Sequence, residues 1–330
     1  MTKVLIYGAG AIGSFFGYLL SEVEGADRAE GRKVKTSLIA ENVALLGRPG
    51  HIERIKERGL EISLAEGESP LSIRFRHSFT DLDELAKSEF APEVVFVTVK
   101  AHALPAVLDE LRGSGLLEGK LKEASFVLLM NGMGNRERFD LSDDRIFEGI
   151  TSVGVVFSAD GKIELKGRGK TVFEAGICDD LKRFIGSRLA EKGFLVEFAP
   201  DFRRQQWMKL FANAVINPIT ALTREKNGIV LSPHLAQVVE RIVEECVAVA
   251  EKEGQKFDEQ EVQKFVRTVA KNTAGNTSSM LQDILRGRRA EIDAINGFVL
   301  NRAKRHGMEA PANETLWGMV GAIEKEDANV

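Results

Sequence analysis

The chain carries only two cysteines, Cys178 and Cys246, in 330 residues. Thiols so far apart, with no histidine near them in sequence, make neither a disulfide framework nor a zinc-ligand set, and a reducing compartment is expected. The five histidines (His51, His77, His102, His234 and His306) show no metal-ligand spacing, so no metal is expected. Basic charge is not in excess either: 45 Lys and Arg face 49 Asp and Glu, a net charge of −4. That balance argues against a nucleic-acid surface. It leaves room for a small anionic substrate, which needs only one or two local cations. No apolar run reaches the roughly 20 residues that cross a bilayer. The opening MTKVLIYGAG lacks the basic, apolar and small-residue sections of a secretory signal. A cytoplasmic protein with neither nucleic-acid nor membrane partners is expected. Internal repeats and long low-complexity tracts are absent from the sequence.

What is present is an ordinary globular composition, 44% hydrophobic and 28% charged, in a chain long enough for two cores. The first half alternates short β-branched runs with helical patterns. Lys3–Tyr7, Val43–Leu46, Val94–Val99 and Ser125–Leu129 read as strands, and Ala11–Leu20 and Ile52–Arg58 as helical. Val94–Val99 is apolar on both faces, as a central strand of a parallel sheet is. Shorter strands with glycine turns and one helix near Asp180–Lys192 follow. After Phe198-Ala199-Pro200-Asp201, read as a hinge, helical periodicity runs to the end: Arg203–Val215, Ser232–Glu253, Glu259–Thr273, Ser279–Leu285, Glu291–His306 and Asn313–Glu324. The expected fold is α/β, a Rossmann-type doubly wound sheet over 1–199 followed by an all-α domain over 200–330. Residues 21–42 are long and polar for a helix-to-strand connection, and read as a surface insertion or a small hairpin.

The run Gly8-Ala9-Gly10-Ala11-Ile12-Gly13 follows an apolar strand and opens an apolar helix. Gly8 permits the tight turn, Gly10 leaves room for a pyrophosphate, and Gly13 lets the helix pack close to the strand. The helix N-terminus offers free N–H groups to the phosphates. In that context G-x-G-x-x-G predicts a dinucleotide site. An acidic residue after the second strand would hold a ribose 2′-OH, and a basic one a 2′-phosphate. Here Arg48 follows, with no carboxylate until Glu53, which favours NADP(H); the alternative is a solvated loop arginine.

In the second half Lys209, Asn213 and Asn217 stand at i, i+4 and i+8 in an otherwise apolar run, so a helix stacks them on one face. Polar groups there must be paired or cost several kcal/mol on desolvation. They read either as a satisfied network between helices or as a stripe lining a cleft. A second cluster is Asn276-Thr-Ser-Ser279-Met, followed by Glu291-Ile-Asp. Ser279 is equally a candidate N-cap, and Glu291 a partner for Arg288 or Arg289. Composition does not choose among these readings. The apolar stripes of this half are either internal or the face of a homodimer.

Taken together, G-A-G-A-I-G at the start, V-T-V-K100-A, N131-G-M-G, K209-x3-N213-x3-N217-P, N276-T-S-S279-M, E291-I-D-x-I-N and H306-G-M-E-A-P-A-N resemble the ketopantoate reductase (2-dehydropantoate 2-reductase) family, in order and spacing over nearly the whole chain. The resemblance implies NADPH-dependent reduction of a 2-oxo acid, ketopantoate, to (R)-pantoate on the way to pantothenate and coenzyme A. It implies that Lys209 is the catalytic proton donor and that Glu291 contacts cofactor and organises the site. Asn131, Asn213, Asn217, Asn227 and Asn276 are then substrate residues, and Ser279 holds the substrate carboxylate. Besides Gly8, Ala9, Gly10, Ala11, Ile12 and Gly13, the implied cofactor contacts are Arg48, Lys100, Asn131, Val155 and Glu291. A reductase of another branched 2-oxo acid and a non-catalytic NADPH-binding regulator are the alternatives. The intact lysine-centred set weighs against the regulator, which needs no proton donor.

Overall fold

A computed structural model describes residues 1–24, 38–65 and 69–324. Two compact units result: Met1–Met130 with Asn135–Phe202, and Asn131–Gly134 with Arg203–Val330. The first holds a twelve-stranded sheet among the described residues. Its strands are β1 (Val4–Tyr7), β2 (Val23–Glu24), β3 (Leu38–Leu46), β4 (Leu60–Ser63), β5 (Leu71–Phe79), β6 (Val94–Val97), β7 (Ser125–Leu129), β8 (Ile146–Thr151), β9 (Gly154–Ala159), β10 (Lys162–Gly167), β11 (Thr171–Glu174) and β12 (Val196–Ala199). The helices are α1 (Ala11–Leu20), α2 (Pro49–Arg58), α3 (Leu82–Lys87), α4 (Leu104–Gly113) and α5 (Asp179–Glu191).

The order is β12-β11-β8-β7-β6-β1-β3-β5-β4-β10-β9, with β2 hung on β3. β1 lies between β3 and β6, parallel to both, and β7 and β5 extend the parallel centre on either side. Every residue of β1 and β6 is buried, which is why both are continuous apolar runs rather than alternating ones. Phe15, Phe16, Leu19 and Leu20 of α1 are fully buried in the same core. The fold is thus the expected α/β one, with antiparallel additions at both ends: β11 against β8, and the β9–β10 hairpin turning at Asp160-Gly161.

The second parallel strand begins at Leu38, earlier than Val43. Residues 23–24 pair antiparallel with 39–40, a pairing that suits the small hairpin, one of the two readings of 21–42; 25–37 lie outside the described residues. Asn42, fully buried, locks this entry: its Oδ1 accepts from Glu22 N–H at 2.8 Å, and its Nδ2 donates to Thr2 O and Leu20 O, each at 3.2 Å.

The second unit is helical: α6 (Phe202–Thr223), α7 (Ala236–Lys252), α8 (Glu259–Asn272), α9 (Ser279–Leu285), α10 (Asn296–Arg305) and α11 (Pro311–Ile323). Its core gathers Trp207, Phe211, Val243, Cys246, Val266, Val299 and Val320. α7 starts four residues later than expected and α11 two residues earlier, and two other boundaries differ with more consequence. α6 continues through Pro218 to Thr223 instead of ending at Val215, because its apolar face remains buried there. Glu291 is not helical: it precedes a 3-10 turn at Ile292–Ala294, and α10 starts only at Asn296. Among the described residues no helix is long and apolar enough to cross a membrane.

Candidate active site

In the sheet unit the glycine turn joins β1 to α1. The N–H groups of Gly8 and Ala9 both donate to Leu46 O at 2.9 Å, tying the turn to the end of β3. Gly8 has φ +106°, a conformation side chains rarely adopt, and a Cβ there would lie 2.6 Å from Val99 Cγ1. A Cβ at Gly13 would lie 2.3 Å from Gly8 O, whereas at Gly10 the nearest atom is 3.9 Å away. The turn is therefore closed at Gly8 and Gly13 and open at Gly10, the shape a pyrophosphate requires. The first intrahelical bond of α1 runs from Ser14 N–H to Gly10 O at 2.9 Å, with no acidic residue in the first turn. The N–H groups of Ala11, Ile12 and Gly13 precede it, at a helix end that suits an anion and has no competing carboxylate in its first turn. These residues fit a dinucleotide.

Arg48 is exposed and stands as the N-cap of α2, just past the end of β3 and beside the glycine turn. Lys100 is half-buried after β6, the other strand that flanks β1. Val155 lies in β9, paired with Leu165 of β10 and packed against the same core as Ile12. A histidine that sequence reasoning passed over joins these parts. His51 Nδ1 accepts from Gly161 N–H at 2.9 Å, so the neutral ring carries its proton on Nε2 and donates it to Ser14 Oγ at 3.0 Å. Burial lowers its pKa to about 4, keeping it neutral. The helix that carries Arg48 is thereby fastened to the helix that follows the glycine turn.

In the helical unit three residues meet that lie 160 positions apart at the extremes. Asn131 Nδ2 donates to Glu291 Oε2 at 3.0 Å, and Asn131 Oδ1 accepts from Lys209 Nζ at 3.0 Å. The carboxylate only accepts, so it fixes the amide with its oxygen toward the ammonium. Asn131 is held in this unit by its own loop, where Met133 N–H donates to Ala294 O at 3.2 Å beside Glu291. Glu291 is buried. Burial lowers the Lys209 pKa from 10.5 to about 8, with the Glu291 charge acting in the opposite direction. This is an amine able to give up a proton near neutral pH.

Asn213 and Asn217 follow Lys209 on one face of α6, half-buried and buried respectively. Asn227 is buried; its Nδ2 donates to Thr273 Oγ1 at 3.0 Å and its N–H to Asn276 O at 3.0 Å. It therefore braces the loop that carries Asn276. Asn276 and Ser279 are exposed. The N-cap of α9 is Ser278, not Ser279: Ser278 Oγ accepts from Leu281 N–H at 3.1 Å and bonds Thr220 Oγ1 of α6 at 2.6 Å. Ser279 is thus the first helical residue, its hydroxyl not engaged as the cap. Of the two arginines read as candidate partners of Glu291, Arg289 bonds Asp293, at 2.9 Å.

The chain matches the family described as "Ketopantoate reductase PanE/ApbA" over residues 4–176, and its C-terminal counterpart, "Ketopantoate reductase PanE/ApbA C terminal", over 201–324. It is 32% identical over 326 residues to the 2-dehydropantoate 2-reductase of Pyrococcus horikoshii, covering 98% of this chain and 97% of that protein. A crystal structure of a PanE/ApbA family ketopantoate reductase from Ralstonia eutropha superposes with TM-score 0.78 at 26% identity, covering 98% of both chains. D-mandelate dehydrogenase, solved with NADH and anilino(oxo)acetate, shares the fold with TM-score 0.77 at 24% identity, also over 98% of both chains. With a Rossmann-type sheet unit, these likenesses make the chain an oxidoreductase. It belongs to the ketopantoate reductase family.

The depressed Lys209 pKa has a consequence for stability. Between about pH 8 and pH 10.5 the folded chain holds fewer protons on this amine than the unfolded chain, so wild type gains stability as pH rises through that window. Lys209→Met lacks the gain. Urea unfolding at pH 7, 8, 9 and 10 should show wild type improving relative to the variant above pH 8; a difference independent of pH means the amine titrates normally.

Proposed function

We propose that the protein reduces 2-dehydropantoate to (R)-pantoate with NADPH, a step toward pantothenate and coenzyme A. The observation that carries this reading is the Lys209–Asn131–Glu291 chain, in a sequence that matches both parts of the ketopantoate reductase family. NADPH, when bound, supplies the hydride that adds to C2 of the 2-oxo acid. The carbonyl oxygen then needs a proton, and the Lys209 ammonium provides it, leaving a neutral amine that water reprotonates. The whole turnover converts 2-oxo acid, NADPH and a proton to 2-hydroxy acid and NADP⁺. Asn131 aims the ammonium, and Glu291 aims Asn131.

Substrate recognition falls to amide and hydroxyl donors: Asn213 and Asn217 on the Lys209 helix, Ser279 for the carboxylate with Asn276 near it, and Asn227 behind that loop. The glycine turn holds the pyrophosphate, Lys100 and Val155 take further cofactor contacts, and Arg48 at the N-cap of α2 receives the 2′-phosphate. A second reading, reduction of another branched 2-oxo acid, is favoured by the likeness to D-mandelate dehydrogenase solved with anilino(oxo)acetate.

Loss of nicotinamide absorbance on mixing enzyme, NADPH and ketopantoate tests the proposal. Turnover on a different 2-oxo acid alone would replace it with the second reading. Lys209→Ala should lose on the order of 10²–10⁴ in kcat with NADPH binding retained; lost NADPH affinity would remove Lys209 from the role of proton donor. In wild type, kcat should fall as pH rises through about 8, where the amine loses the proton to be donated.

Arg48→Ala should weaken the preference for NADPH over NADH, read as the ratio of kcat/KM values. An unchanged ratio would place the 2′-phosphate elsewhere.

A further inference from the structure

Helix α6 contains Pro218. Proline has no N–H, so the carbonyl four residues earlier loses the donor it has in an unbroken α-helix, and the ring crowds that same carbonyl. The carbonyl belongs to Ala214, which lies between Asn213 and Asn217 of the polar stripe. A loosened turn there would swing Asn217 relative to Lys209 and Asn213. The freed oxygen is taken by a side chain from another helix: Asn296, at the start of α10, donates from Nδ2 to Ala214 O at 3.0 Å. Both residues are fully buried.

The direction of the Asn296 amide is dictated from behind. Glu245 of α7, itself buried, accepts the N–H groups of Ala312 and Asn313 at 3.0 Å each, at the start of α11. It also accepts from Asn313 Nδ2 at 2.8 Å. A carboxylate only accepts, so Asn313 turns its nitrogen toward Glu245 and leaves its oxygen for Asn296 Nδ2, at 3.0 Å. Asn296 Nδ2 therefore serves two acceptors, Asn313 Oδ1 and Ala214 O. The opposite orientation would set an oxygen against both. Asn296 Oδ1 is buried without a hydrogen-bond partner among the described residues, a cost retained so that the nitrogen can face Ala214. Just past the proline, Thr220 Oγ1 lies within 2.8 Å of Ile216 O and 2.9 Å of Asn217 O, and bonds Ser278 Oγ, the cap of α9. The turn that lacks a backbone bond is braced on both sides.

We infer that Asn296 is a positioning residue for the reaction: by bonding the Ala214 carbonyl that Pro218 frees, it fixes the course of α6 and so the direction in which Lys209, Asn213 and Asn217 point. It touches neither substrate nor cofactor in this role. Its kinetic readout rests on the reductase reading given above; its structural basis does not.

The test is a double-mutant cycle of Asn296→Ala and Pro218→Ala. Alanine at 218 restores an N–H four residues beyond Ala214, so the carbonyl no longer depends on Asn296. Asn296→Ala alone should lower kcat about tenfold, with a smaller change in KM, as misplacement of reacting groups does. Placed on Pro218→Ala, the same change should cost less than about threefold, because the two positions are coupled. Multiplicative losses in the double variant would overturn the proposal. Coupling in thermal midpoints without coupling in kcat would also overturn it, reducing Asn296 to a packing residue. Should Asn296→Ala fold only in the Pro218→Ala background, the contact is supported; failure to fold in both backgrounds contradicts it. If wild type shows no turnover of ketopantoate or any other 2-oxo acid, the functional reading fails. The thermal midpoints of the four proteins then decide the contact alone: non-additive shifts support it and additive shifts overturn it.

Discussion

The structure depends on an amide placed between a carboxylate and an ammonium. Had Glu291 met Lys209 directly, the ion pair would have held the lysine in its charged form. With Asn131 between them, Glu291 sets the direction of the amide, the amide oxygen receives the ammonium, and burial still outweighs the carboxylate's pull. The cation is oriented without being locked. A proton donor requires both, since a group that cannot release its proton does not donate, and one that wanders does not meet the oxygen.

Building that chain requires three distant stretches to converge. Asn131 follows the last of the central parallel strands, yet its loop belongs with the helical unit, where Met133 N–H is bonded to Ala294 O. Glu291 caps a 3-10 turn rather than lying within an α-helix, and its carbonyl accepts from Ala294 N–H at 3.1 Å. Lys209 lies on a helix carried through a proline with side-chain support from α10 and from the cap of α9. The buried Glu245–Asn313–Asn296 line is the polar counterpart of the apolar core around it, each member satisfied in turn by the next except for one amide oxygen.

Much of this was legible in the sequence. The glycine turn declared itself by its place between an apolar strand and an apolar helix, and the parallel strands by runs without alternation. The stripe of Lys209, Asn213 and Asn217 followed from helical spacing alone. What periodicity could not show was which polar groups meet: nothing local distinguishes Asn131 from any other loop asparagine. Choosing Ser278 over Ser279 as the cap requires knowing that Thr220 lies opposite. The proline was visible, but the helix was expected to stop before it, at Val215, so the orphaned Ala214 carbonyl was not; its donor lies 82 residues on, in another helix. His51 stayed hidden because its partners, Ser14 and the Asp160-Gly161 turn, come together only through the sheet.

The most direct measurement is an NMR titration of the Lys209 side-chain amine in wild type and in Glu291→Gln. The wild-type amine should titrate near pH 8, and lower still in the variant, because the carboxylate is what opposes the desolvation. A wild-type value at the ordinary lysine position near 10.5, or one that does not move when Glu291 loses its charge, would contradict a proton donor tuned by burial and aimed through Asn131.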